Sequence, residues 1–337
     1  MGKRIQVLDV YKGLLILIVL FHHISSQIDG MGINESVRHY NLYMLPTYCA
    51  WFMPAFFLTT GYCSNFNKQF FPFLYSNFRT LLWPAITSFA IIYTFRSIWY
   101  DDKSILLNSF SLIPLWGFNW FLMALFLSKI LLWGINRYFV SNVIKGMLFL
   151  FIAFLAIYMN DVNFLGDNWL HHRHALYLSF FLFIGYFLKN KNVEYKKYII
   201  ICGAIYIPLL LASMKTIGVL PGIAGVWINF NVSNVFFHIL LALTGSCFCL
   251  CIANLFNKSR LLQFIGINSL VFYLFHIDAL RISEKIISVY IINPESLSQV
   301  FLFDLLTLII CVCLCSVLVY ILSTKYLHWI IKWPSTS

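Results

Sequence analysis

The sequence predicts an all-α, polytopic membrane protein, a helical bundle of about ten transmembrane helices with both termini cytoplasmic. Three observations carry this expectation. Of the 337 residues, 61% are hydrophobic and 10% charged, and mean hydropathy is +0.82, whereas soluble domains carry about 25% charged residues. Apolar runs approaching the roughly 20 residues a helix needs to cross hydrocarbon recur along the whole chain. The basic residues gather in the intervals between those runs. Length alone would allow two soluble domains, but the continuity of the apolar runs favours a single membrane-embedded domain over residues 1–337.

The runs fall at 8–30, 43–62, 81–100, 118–136, 146–160, 175–189, 198–214, 234–254, 263–281 and 300–323. The first starts with nine apolar residues, Gly13 to Phe21, and continues into His22, His23, Ser25, Ser26, Gln27 and Asp29. The second ends in the stretch Trp51 to Tyr62, and Pro84 lies in the third. The fourth is entered through Asn119-Trp120. The fifth and sixth are short. The eighth holds a lone His238, expected as a packing residue, and the ninth carries a polar stripe.

Orientation follows from charge. With the N-terminus inside, fifteen Lys and Arg lie in cytoplasmic segments and six outside, leaving Arg96 and Lys129 within spans. That asymmetry is the positive-inside pattern. The net charge of +11 therefore does not imply nucleic acid, because no contiguous basic stripe exists. Most of the nine cysteines sit inside apolar runs. Neighbours such as Cys247, Cys249 and Cys251 point about 200° apart on a helix, so they read as small apolar residues and not as a metal set. A removable signal peptide is not expected, since the first run contains two histidines and lacks a small-residue cleavage site. No soluble catalytic domain is expected at either end, so the helices themselves must do any chemistry.

The first run points to that chemistry. Lipid-facing polar residues at membrane depth are expensive, so its second half must face protein or a water-filled cavity. Lys12 and His23 are eleven residues apart, about 16 Å of rise and only about 20° of rotation. Asp9 lies on the same face, one turn from Lys12. The arrangement places a cation where an anionic cytosolic ligand arrives and an imidazole near mid-membrane where its reactive end would reach. His22 points about 100° away. The alternative is a polar helix-packing seam. In the ninth run, Ser269, Tyr273 and His276 follow i, i+4, i+7 spacing and share one face.

The opening Arg4-Ile-Gln-Val-Leu-Asp-Val-Tyr-Lys-Gly to His23 resembles the first helix of acyltransferase family 3, which carries an Asp, then Arg or Lys, ten residues and a His. Trp51 to Tyr62 is similar to the family's second-helix signature, with Thr60 where the family has Ser. Arg79, five residues before Pro84, matches the first of an inner-loop Arg pair, and Leu82 stands at the second. Asn119-Trp120-Phe121-Leu122 resembles the entry to a middle helix, and Phe264 to His276 resembles the late Gly-x-x-Ser-Leu-x-x-Tyr-Leu-x-His signature. These segments occur in family order from residue 4 to residue 276. The family includes fucose O-acetylase-like proteins and surface polysaccharide O-acetyltransferases.

The resemblance implies an O-acyltransferase of the bacterial cytoplasmic (inner) membrane, with acetyl-CoA as donor substrate and no permanently bound cofactor. A hydroxyl of a cell-surface carbohydrate or lipid-linked glycan is the expected acceptor. Lys12, Arg79 and Lys68 are the expected donor-phosphate contacts, and His23 the catalytic residue, either as general base or as the acyl-accepting group. Asp9, His22, Ser269, Tyr273 and His276 are expected in acceptor contact or support. No metal is expected. The outer segment Asp167 to His174 offers three histidines but no matching Cys or His partner; it reads chiefly as a solvated or interfacial loop, with acceptor-sugar contacts as the alternative. Expected partners are membrane lipids, the donor and the acceptor, with a homodimer as one option for the assembly and no nucleic acid. The rival reading is a transporter or flippase for a glycan or lipid intermediate. Such proteins commonly show repeats or Gly/Pro-broken helix pairs in matching halves, and none is evident here. A non-catalytic subunit of a surface-assembly complex is a third option.

Overall fold

The computed structural model describes residues 5–28, 48–99, 120–162, 171–189, 195–216, 231–289 and 297–332. Asn119, Asp29 and Asp167 to Leu170 lie outside them, as do the side chains of Ser25, Ser26 and Gln27. Every regular element among the described residues is helical. In chain order these are α1 (Gln6–Ile28), α2 (Phe52–Cys63), α3 (Phe70–Asn77), a π-helical turn (Phe78–Leu82) and α4 (Trp83–Trp99). Then come α5 (Trp120–Tyr138), α6 (Asn142–Asp161), α7 (His172–Lys189), α8 (Tyr195–Thr216) and α9 (Val232–Leu255). The chain continues through α10 (Arg260–Ile267), α11 (Ser269–Ser288), α12 (Leu297–Leu322) and a short 3-10 turn (His328–Ile330).

Local chemistry sets several of these boundaries. Pro54 sits in the first turn of α2, where a missing N–H costs no helical hydrogen bond, and Pro84 follows the π turn directly, inside the continuous Phe70–Ile98 stretch. Ser141 caps α6 by accepting from the Ile144 N–H, and Ser259 caps α10 by accepting from the Leu262 N–H, the usual role of serine at that position.

Among the described residues, six helical stretches are long and apolar enough to cross a membrane: Gln6–Ile24, Phe70–Ile98, Trp120–Tyr138, Asn142–Asp161, Val232–Leu255 and Ser298–Leu322. The ninth expected span, 263–281, is corrected. It is not one straight helix, because α10 and α11 meet at 88° and pass the same test only as a pair. Asn268 makes the break: its backbone leaves the α region (φ −101°, ψ 19°), and its side-chain amide donates to the Phe264 carbonyl at 2.8 Å, closing off α10. The third span, expected from residue 81, begins at Phe70 and runs through the π turn.

The contacts divide the chain into two compact units. The first comprises Met1–Phe56, Val193–Ile223 and Phe236–Ile321. In it, α1 lies backbone to backbone against α10. A Cβ on Gly13 would collide with the Leu262 carbonyl, and one on Gly266 with the Asp9 carbonyl, so only glycine permits this approach. Tyr11 Oη donates to the Ser246 carbonyl of α9 at 2.9 Å. Trp51 Nε1 donates to Tyr206 Oη of α8 at 2.9 Å, and Gly245 leaves room for the Trp51 indole. A hydrogen-bonded Tyr and Trp thus stitch α1 and the start of α2 to α8 and α9, where burial demands a partner for each polar handle.

The second unit comprises Phe57–Asn192, Ala224–Val235 and Leu322–Ser337. Here α7 packs on α5 and α6. Ser128 Oγ donates to the Ala175 carbonyl at 2.7 Å, and the Phe149 and Phe183 rings stack at 5.2 Å. Gly61 and Gly185 form a reciprocal close approach, each facing the carbonyl of the other helix at Leu182 and Leu58, the small-residue packing favoured between membrane helices. The C-terminal 3-10 turn docks on α4 through Trp83 Nε1 to the Trp329 carbonyl and Thr87 Oγ1 to the Ile330 carbonyl.

Candidate active site

In the first unit, α1 runs unbroken from Gln6 to Ile28, so the expected common face of Lys12 and His23 is realised on one helix. Asp9 pairs with Lys12 at 3.0 Å, and the Lys12 side chain keeps 27% of its surface exposed against 8% for Asp9. The Asp therefore steadies the ammonium stem while leaving its head accessible. Eleven residues on, the His23 ring lies 4.9 Å from the His276 ring of α11, centre to centre, inclined at 50°. The sequence offered these two histidines on separate helices; the fold brings them together.

His276 is 4% exposed. Its Nδ1 lies 2.7 Å from the Tyr273 carbonyl oxygen, and a carbonyl only accepts, so Nδ1 carries the proton and donates. In the neutral ring that leaves Nε2 as the basic nitrogen. Nε2 is buried, with no hydrogen-bond partner among the described residues. Tyr273 contributes its backbone to this orientation and its ring sits 5.9 Å from that of His276. Ser269 opens α11 immediately after the Asn268 break.

His22 occupies a different environment. It is buried, and its ring makes edge and tilted contacts with Tyr48 (5.9 Å) and Phe52 (5.6 Å). Its Nδ1 is 3.9 Å from the Cys49 sulfur. Adjacent histidines on one helix are thus separated by their roughly 100° offset: His22 faces an aromatic packing cluster and His23 faces His276.

The second unit holds Lys68 and Arg79. Arg79 lies within the π turn, its guanidinium 5.5 Å from the Tyr75 ring centroid, and Lys68 Nζ reaches Ser76 Oγ at 3.4 Å. The two cations therefore flank the same turn of α3. Lys129 of α5, within a predicted span and so set aside in the charge count, interacts electrostatically with Lys68. Lys189 at the end of α7 donates to the Ser64 carbonyl at 2.8 Å. Sequence reasoning missed Lys129 because an apolar window hides one lysine; its position on a helix adjoining a basic loop was the available signal.

The outer histidines also differ from expectation. His171 (φ 53°) precedes α7 and is followed by its first turn. Arg173 and His174 are buried, Arg173 donating to Asn160 Oδ1 at 3.2 Å and His174 lying 4.8 Å from the Trp120 ring. These two residues belong to a helix start and not to a solvated loop, which corrects the sequence reading. His238 is buried in α9.

A family model described as an acyltransferase domain, that of acyltransferase family 3, matches residues 5–322. The chain belongs to acyltransferase family 3. No curated protein and no solved structure matches it. Because the match spans both units, the histidine pair and the basic turn of this family 3 acyltransferase lie inside one family domain. The protein is a multi-pass membrane acyltransferase, and nothing in the match supports transport or flipping. Chemically, the paired imidazoles can take a proton from a hydroxyl, and the basic turn can contact phosphate.

Proposed function

We propose that the protein transfers an acetyl group from acetyl-CoA to a hydroxyl of a cell-surface carbohydrate or its lipid-linked precursor, at the bacterial cytoplasmic membrane. The observation that carries this reading is the His23–His276 pair, with its oriented and buried Nε2, inside an acyltransferase domain. An acceptor hydroxyl gives its proton to the pair as its oxygen attacks the acyl carbon. The carbon–sulfur bond then breaks, and the proton passes to the departing thiolate to yield CoA thiol. No net proton is produced, so the imidazoles act as general base and then general acid. Lys68 and Arg79 contact the donor's phosphates as charge-assisted donors, and Lys12, held by Asp9, is a donor-binding cation. Ser269 and Tyr273 support the acceptor side, and His22 buttresses α1 by packing.

The proposed topology is ten spans with both termini cytoplasmic, which places the basic turn on the side where acetyl-CoA is made. The test is label transfer: purified protein in lipid nanodiscs receives acetyl-labelled acetyl-CoA and extracted lipid-linked glycans. Labelled glycan with stoichiometric CoA release is the expected result. Donor that is bound but never consumed, with surface glycans from a deletion strain keeping every O-acetyl group by mass spectrometry, would rule the reading out.

A further inference from the structure

α12 returns past α11 with a buried stripe in which two residues are unusual for a membrane helix. Asp304 is 3% exposed and Thr307 is 0% exposed, and among the described residues neither carboxylate oxygen nor the threonine hydroxyl has a hydrogen-bond partner. Leu305 and Ile309, turned the other way, are exposed, as suits lipid contact. An ionisable group at membrane depth is costly and marks a functional site by default. The threonine is an independent signal. A helical hydroxyl normally closes onto a carbonyl four residues back, as Ser316 does on this same helix and Thr94, Thr244 and Ser283 do elsewhere. Thr307 does not, so its hydroxyl is left for something else.

The register connects these groups to the histidine pair. Cys311 Sγ lies 3.9 Å from the His276 carbonyl oxygen. α11 and α12 follow one another through a short connection and so run antiparallel. Moving back from Cys311, Thr307 is about 6 Å and Asp304 about 10.5 Å along the helix, level with Leu280 and with Ser283–Glu284. The electrostatic interaction of Glu284 with Asp304, alongside that with Arg281 on its own helix, agrees with that register. Polar groups thus run from His276 along the α11–α12 seam, away from the end marked by Lys258 and Arg260.

We propose that Asp304 and Thr307 form the acceptor subsite and bind hydroxyls of the sugar whose reacting hydroxyl meets His23 and His276. This rests on the acyl-transfer reading above. A carboxylate accepts from two neighbouring hydroxyls at once, and a threonine hydroxyl can donate to or accept from a third. The vicinal hydroxyls of a sugar ring match that set. A divalent cation such as calcium takes six or more oxygen ligands, more than these two side chains provide.

The test uses purified full-length protein in nanodiscs, acetyl-CoA as donor, and methyl glycosides or cyclohexanol, which has one hydroxyl, as acceptor probes. CoA release is followed at varied acceptor concentration in wild type, Asp304→Asn and Thr307→Val. Both substitutions keep side-chain size, and Asp304→Asn removes a buried ionisable group; thermal melting of each confirms folding. The glycoside KM is expected to rise at least about tenfold in each variant, the scale of a lost hydrogen bond to a charged or buried group. kcat should change far less, and the cyclohexanol response should be equal in all three proteins. An unchanged glycoside KM in both folded variants overturns the proposal, as does a wild type that binds acetyl-CoA but responds to no glycoside. If replacing sodium by potassium reproduces the defect in wild type, the groups hold a monovalent cation and the sugar subsite is wrong. A wild type that neither binds nor consumes acetyl-CoA overturns the acyl-transfer reading itself.

Discussion

A histidine's role inside a membrane domain depends on what its second nitrogen touches. His276 gives Nδ1–H to the Tyr273 carbonyl, which fixes the tautomer and leaves Nε2 as the basic nitrogen of a ring 4.9 Å from that of His23. His22, one residue from His23, spends its surface on Tyr48 and Phe52. His23→Ala should therefore cut acyl transfer by about 10²-fold or more, the scale of a lost general base, with donor affinity little changed. His22→Ala should be much milder. The check is transfer and acyl-CoA binding side by side at equal membrane abundance; an inactive His22 variant beside an active His23 variant would reverse the assignment of faces on α1. Because the two rings work as a pair, His23→Ala combined with His276→Ala should lose little more activity than the worse single variant, since residues acting as a unit are non-additive. Additive losses would mean that they act separately.

At the scale of elements, two local irregularities place the functional groups. The π turn Phe78–Leu82 carries Arg79 out of the regular register of the α3–α4 stretch, and π insertions recur at functional sites. Arg79→Ala is expected to raise the acyl-CoA KM by about 10- to 100-fold, corresponding to about 1.5–3 kcal/mol for a hydrogen bond to a charged group. Normal donor binding with lost turnover would show that Arg79 is not a phosphate contact. The second irregularity is the α10–α11 break, held in place by the glycine contact with α1. Gly266→Ala forces the two backbones apart and should cost about 1–3 kcal/mol, as overpacking does. Gly134→Ala is the control. Nothing lies within 4 Å of its added Cβ, and alanine favours the helix by up to about 1 kcal/mol. Melting in detergent should show a lowered Tm for the first and an unchanged or raised Tm for the second; equal effects would mean that α1 and α10 are not in close contact.

For the whole molecule, the proposed ten-span topology rests on the distribution of charge. Fifteen basic residues on one side against six on the other favour the side holding Lys68 as cytoplasmic. Reporter fusions at Lys68 and Asn192 should read cytoplasmic and one at Asp167 external. The opposite pattern would put the basic turn on the wrong side for a cytosolic donor and defeat the donor assignment with it.

The sequence determined the solvent, the class and the family. Composition and recurrent apolar runs are sums over many residues, so they survive ignorance of packing, and the spaced signatures from Asp9 to His276 are local to single helices. The common face of Lys12 and His23 was legible for the same reason, since rotation per residue within one α-helix is fixed. Only the tertiary structure decided which residues of different helices meet. The 4.9 Å pairing of His23 with His276, the Lys68–Arg79 turn and the Cys311–His276 register join residues far apart in the chain or hinge on a local break. No periodicity encodes them. The bend at Asn268 was likewise hidden, because an apolar window does not register one residue leaving the helix while its side chain satisfies the freed carbonyl. Asp304 lies in the tenth apolar run, where no motif or spacing marks it. Its meaning came from burial without a hydrogen-bond partner among the described residues, a property of the assembled helices and of no sequence window.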